Sequence, residues 1–157
     1  MKRSMKKEIL VIGIILLGTV SQLYSQIETP VHLKDLKQLS ENIDKKDINE
    51  KKILSMGYHK RLNGVYISNV MLTTKAPKHW ITTSAYLSYK TADRTSFDRI
   101  VRELKKEGRS KKINTGSSQI GHKYRIPKYE VEVYEPLSGV NLDLNDLYEV
   151  LLIPKKN

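Results

Sequence analysis

The chain has 157 residues, with 28 Lys and Arg against 17 Asp and Glu, a formal net charge of +11 and no cysteine. The missing cysteine excludes a disulfide framework, a cysteine nucleophile, thiolate metal ligation and a lipid-modified amino-terminal cysteine. The positive balance favours encounters with anions, whether nucleic acid, anionic polysaccharide, lipid head groups or an acidic protein, and equally serves plain solubility.

Lys2, Arg3, Lys6 and Lys7 open the chain, Ile9 to Val20 follow as twelve apolar or small residues without a charge, and Ser21 or Ser25 ends the run. That order is the order of an export signal. The preferred cut makes Gln26 the first residue, with Gln22 as the alternative, and Leu23 suits neither choice well. An anchoring helix needs about 20 apolar residues, more than this run supplies, so cleavage is expected over anchoring. Residues 1–25 are thus expected to be a cleaved signal. Residues 26–157 are expected to be a single α+β domain, exported to the periplasm or secreted, with no integral membrane span. Of the net charge, +3 lies in residues 1–25, which leaves +8.

Thr29 to Ile43 read as a helix, with Thr29 as N-cap, Pro30 at the first helical position and an apolar stripe of Leu33, Leu36, Leu39 and Ile43. A second short helix is expected over Asp47 to Met56, with Ile48, Ile53 and Leu54 turned inward and Gly57 closing it in the left-handed conformation. The period then changes. Asn63-Gly64 marks a hairpin between Tyr58–Leu62 and Val65–Thr74, and His79 to Tyr89 reads as one further strand. The clearest helix follows: Thr95 as cap, Phe97, Ile100, Val101 and Leu104 as stripe, Lys105 and Lys106 in the last turn, and Gly108 as the stop. Ser110 to Ile113 is a short strand, Asn114 to Gly121 a polar loop, and Lys123 to Tyr134 a strand interrupted by Pro127, which implies an edge or a bulge. Tyr148 to Ile153 closes the chain as an apolar strand. The two halves share a helix, a glycine and hairpin-like strands, a pattern consistent with duplication although the residues do not otherwise align. The expected fold is two-layer α+β, with about three helices packed on one face of a mainly antiparallel sheet of five to six strands.

Chemistry is sparse. His32, His59, His79 and His122 show no metal-site spacing, and no metal or other cofactor is expected. No GxSxG, SxxK or P-loop pattern occurs, so no catalytic residue is assigned and catalysis is the less expected class. Glu130 and Glu132 lie on one strand face, roughly 7 Å apart, in alternation with Val131 and Val133, as on a wet face. Two clusters remain: His59, Lys60 and Arg61, and His122, Lys123 and Arg125. Each sets a histidine among cations at the start of a strand, which suits phosphate or sulfate. Charged strand ends that block aggregation explain the same residues. Tyr66, Tyr86, Tyr89, Tyr124, Tyr129 and Tyr134 fall on expected strands, where tyrosine either stacks on a ligand or simply fills a pleated surface. Trp80 is expected in the core. The functional expectation is an exported, non-catalytic interaction protein that binds a macromolecular partner through a basic, tyrosine-bearing sheet face or edge. The partner is a protein or an anionic envelope polymer, with nucleic acid not excluded. The alternative is a small hydrolase or phosphate-processing enzyme using His59 and His122.

Overall fold

The computed structural model describes residues 29–68, 78–115, 119–137 and 147–155. In these the chain forms α1 (Leu33–Glu41), α2 (Lys46–Ser55), β1 (Tyr58–Leu62), β2 (Val65–Ser68), β3 (His79–Thr83), β4 (Leu87–Thr91), α3 (Arg94–Glu107), β5 (Arg109–Ile113), β6 (Gln119–Ile126), β7 (Tyr129–Pro136) and β8 (Tyr148–Pro154). The fold is α+β: three helices contact an open, all-antiparallel sheet of eight strands in the order β1-β2-β3-β4-β8-β7-β6-β5. Each half is a helical segment followed by a four-strand meander, and the halves meet where β4 pairs with β8. The export segment, the end of the expected Val65–Thr74 strand, and Ser117-Ser118 lie outside the described residues.

The strand count exceeds the expected five to six for two local reasons. His79 to Tyr89 is not one strand, because the chain turns at Ser84 to Tyr86, where the Ser84 N–H donates to the Tyr86 carbonyl at 3.0 Å. Pro127 is not inside a strand but starts the Pro127-Lys128 turn between β6 and β7, with Lys128 at φ 67°. The Asn63-Gly64 hairpin forms as expected. Gly64 sits at φ 74°, and a Cβ there would lie 2.4 Å from the Thr83 carbonyl oxygen.

Helix boundaries moved toward better caps. The first helix starts at Leu33, because the N-terminal N–H groups find carboxylates there rather than at Thr29. The His32 N–H donates to Asp35 at 3.1 Å, and the Leu33 N–H donates to Glu103 of α3 at 2.7 Å. α3 is capped by Asp93, not Thr95: its carboxylate accepts from the N–H groups of Thr95 (3.0 Å) and Ser96 (3.3 Å). In α2 the buried positions are Asn49 and Ile53, while Ile48 and Leu54 are exposed. Gly57 closes α2 at φ 89°, as its place after the helix demands.

Strand alternation divides the sheet into two faces. One register row runs Lys60, Tyr66, Ile81, Tyr89, Val150, Val133, His122, Lys112 across all eight strands. Its centre joins Leu36, Leu39, Phe97, Ile100 and Leu104 of the helices in one continuous buried core. The adjacent row, pointing the opposite way, runs His59, Ile67, Trp80, Lys90, Glu149, Tyr134, Gly121, Ile113. Trp80 is 9 % exposed yet stands on this second face, apart from the core cluster.

Candidate functional site

The sheet order separates the two basic clusters. β1 carries His59, Lys60 and Arg61 at one edge, and β6 carries His122, Lys123 and Arg125 next to the other. β1 and β6 lie six strand spacings apart in that order, about 29 Å along the sheet. His59 shares its row with Gly121, so its side chain and that of His122 point to opposite faces. One substrate group cannot reach both rings at hydrogen-bond distance. Lys60 is occupied by Glu50 of α2 at 2.7 Å.

The second cluster gains neighbours that lie outside it in the sequence. β5 (Arg109-Ser110-Lys111-Lys112-Ile113) runs beside β6 and places Arg109 opposite Arg125, Lys111 opposite Lys123, and Lys112 opposite His122. Two of these rungs set fixed positive charges face to face, and the third sets Lys112 beside a histidine. Like-charge rungs destabilise a ladder. Lys123 is compensated: its ammonium meets Glu130 at 2.7 Å and Glu132 at 3.3 Å. The bond from Lys123 holds the Glu130 carboxyl below the usual carboxylate range and raises the Lys123 ammonium. Glu130 and Glu132 therefore clasp one cation, with the Tyr134 hydroxyl donating to Glu132 at 2.5 Å. Glu130, held low, is not poised as a protonated acid for glycoside cleavage. Arg109, Lys111, Lys112 and Arg125 have no carboxylate within ion-pair distance among the described residues. Their side chains are exposed on the last strands of the sheet, with Lys105 and Lys106 in the turn that leads into β5.

No family model, curated protein or solved structure matches this chain. The site therefore has to be read from its own chemistry.

The tyrosines divide unevenly. Tyr66, Tyr89, Tyr124 and Tyr129 belong to the buried core, with Tyr58 and Tyr148. Burial pushes the Tyr129 phenol up to about 12. Tyr86 sits in the exposed β3–β4 turn, and Tyr134 alone of the six expected strand tyrosines points to the face away from the core. Pleated-surface packing, not ligand stacking, accounts for most of them.

One polar cluster escaped the sequence reading. His79 Nδ1 lies 2.9 Å from the Tyr89 hydroxyl and 2.8 Å from Thr91 Oγ1, and the His79 and Tyr89 rings stack at 6.0 Å. With Asp93, Ser96 and Arg99, His79 and Tyr89 line a cavity of about 210 Å³ at the start of α3, where Arg99 Nη1 is buried without a hydrogen-bond partner among the described residues. The signal was present as the alternation of Tyr89 and Thr91, which puts both hydroxyls on the His79 side of the sheet. Among the described residues no group of three His, Asp or Glu side chains is placed to hold a metal, and no helix is long and apolar enough to cross a membrane.

Proposed function

We propose that the protein is an exported, non-catalytic interaction module, its residues 26–157 forming one two-layer domain with all three helices on the core face. It engages an anionic macromolecular partner along the β5–β6 edge. The export assignment rests on the amino-terminal sequence pattern alone.

The observation that carries the binding assignment is the run of like-charge rungs. Cross-strand charge pairs contribute roughly 0.2–1 kcal/mol each when opposite in sign and cost a similar amount when alike. Edge protection requires only a charge or two along a strand, whereas here Arg109, Lys111, Lys112 and Arg125 concentrate positive potential on two neighbouring strands. Opposing negative charge from a partner relieves that repulsion. It also explains why cations stand opposite β6 on its β5 side, whereas on its β7 side Glu132 and Glu130 face Lys123 and Arg125.

The test is binding of fluorescein-labelled heparin oligosaccharide and poly-glutamate to the full-length protein across a salt series. The Arg109→Gln/Lys111→Gln/Lys112→Gln variant is expected to weaken binding at least tenfold and to flatten the salt slope. Arg61→Gln, on the opposite edge, is expected to leave both unchanged. Binding that ignores salt, or that survives the triple substitution, would overturn the reading.

A further inference from the structure

We infer that the partner at this site is an extended acidic polypeptide segment that adds to β5 as a ninth strand. This rests on the anionic-partner reading above and specifies how the partner is held.

The two edges of the sheet are built differently. β1 carries the devices that block strand addition. Its register shifts between Lys60 and Leu62, α2 packs against it, and Glu50 neutralises Lys60 at 2.7 Å. Among the described residues β5 has none of these. Its register with β6 is unbroken from Arg109 to Ile113, and among the described residues no strand lies on its outer side. α3 packs on β6, and among the described residues no helix packs on β5 to the same extent. Among the described residues β5 is thus a regular template guarded by charge rather than by cover, and a cationic guard repels basic strands while it attracts acidic ones.

The template is also held in place before any partner arrives. A Cβ at Gly108 would stand 2.5 Å from the Arg125 carbonyl oxygen, so the chain leaves α3 pressed against β6. At the other end the Ile113 side chain lies over Gly121, where a Cβ would meet it at 2.7 Å. Both contacts fix β5 close to its neighbour, so little ordering of the template remains to oppose binding. Side chains alternate along β5, with Arg109 and Lys111 on one face and Lys112 on the other. An added strand with acids at successive positions opposite these residues matches both faces. Strand addition of this kind draws affinity from main-chain hydrogen bonds and specificity from alternate side chains.

The probe is a fluorescein-labelled peptide, acetyl-Glu-Thr-Glu-Glu-Val-Glu-amide, measured by anisotropy against the full-length protein. Two further versions carry N-methyl groups on alternate residues, one set for each edge of the peptide. The charge is identical in all three. Strand addition predicts that one methylated version loses at least tenfold in affinity while the other binds like the parent. If both methylated versions bind as the parent does, or if heparin binds and the peptide does not, the inference fails while the anionic-partner reading stands. If neither the peptide nor heparin nor poly-glutamate binds, that reading fails as well.

Discussion

Asp93 offers a sharp test of how this fold is held, because one carboxylate organises the start of the longest of the described helices. It accepts from the Thr95 N–H at 3.0 Å, the Ser96 N–H at 3.3 Å and the Ser96 hydroxyl at 2.7 Å. Asp93→Ala removes the cap, a loss of about 1 kcal/mol, and a favourable charge at the helix N-terminus, about 0.5 kcal/mol. It also strands the hydroxyl of Ser96, which is buried, for about 1 kcal/mol more. These contributions overlap, so the expected loss is about 2 kcal/mol, or a fall in Tm of about 8 °C for a domain of this size. Asp93→Asn keeps an accepting oxygen and gives up only the charge, so its loss is about 0.5 kcal/mol.

The pH dependence separates the two effects. Burial pushes the Asp93 carboxyl up, but the bonds from Ser96 and Thr95 and the proximity of His79 outweigh it and hold the group below its ordinary value. A depressed carboxyl contributes stability that is fully present above the unfolded value, about 3.9, and is lost as pH falls through the folded value. The gap between the native protein and Asp93→Asn should therefore be constant near neutrality and shrink in strong acid. Urea unfolding followed by circular dichroism at pH 7 and across the acid range measures both. A loss below 0.5 kcal/mol for Asp93→Ala, or a gap to Asp93→Asn that does not narrow in acid, would refute the capping argument.

Three other outcomes follow from the same structure. Gly64→Ala forces a side chain into φ 74° and against the Thr83 carbonyl, and should cost about 2 kcal/mol. Lys128→Gly relieves the same conformation at φ 67° and should leave stability unchanged or raise it by up to about 1 kcal/mol, both read from urea midpoints. Glu103→Gln should loosen the junction of α1 and α3, since Glu103 takes both the Leu33 N–H and the His32 ring at 2.7 Å. Burial raises the Glu103 carboxyl, these partners lower it, and the net is a depressed value. The expected loss of about 1 kcal/mol should vanish in acid, and hydrogen exchange of the α1 amides at pH 7 should quicken.

The parts of the fold that were legible in the sequence are those set by local rules. The Phe97, Ile100 and Leu104 stripe is buried, with Val101 at its margin, and Asn63-Gly64 and Gly57 do what their backbone freedom suggests. The Ser84-Ala85-Tyr86 turn carried neither glycine nor proline, so two strands read as one. Glu103 was invisible as a cap for α1, because it arrives from 70 residues further along the chain. For the site, resemblance between the two His-basic clusters suggested one pocket, yet strand order is a long-range property and sends them to opposite sides. Lys111 and Lys112 read only as part of a short strand from Ser110 to Ile113, and Arg109 fell outside it. Their meaning lies in what stands across from them on β6, which the linear sequence does not display.

The β4–β8 seam has a bearing on how the molecule assembles. Each meander is built from neighbouring hairpins, but the seam joins strands about 60 residues apart in the chain. Closing a loop of that length costs about 3.6 kcal/mol in chain entropy, and non-local pairings of this kind slow folding. The second half must be largely complete before Tyr89 can meet Val150. A nascent chain therefore spends its early life with the unpaired margins of β4 and β8 both open, and β4 from one molecule matches β8 from another as well as its own. Exchange of whole halves between two chains is the misassembly this topology invites, and the speed of seam closure is what guards against it.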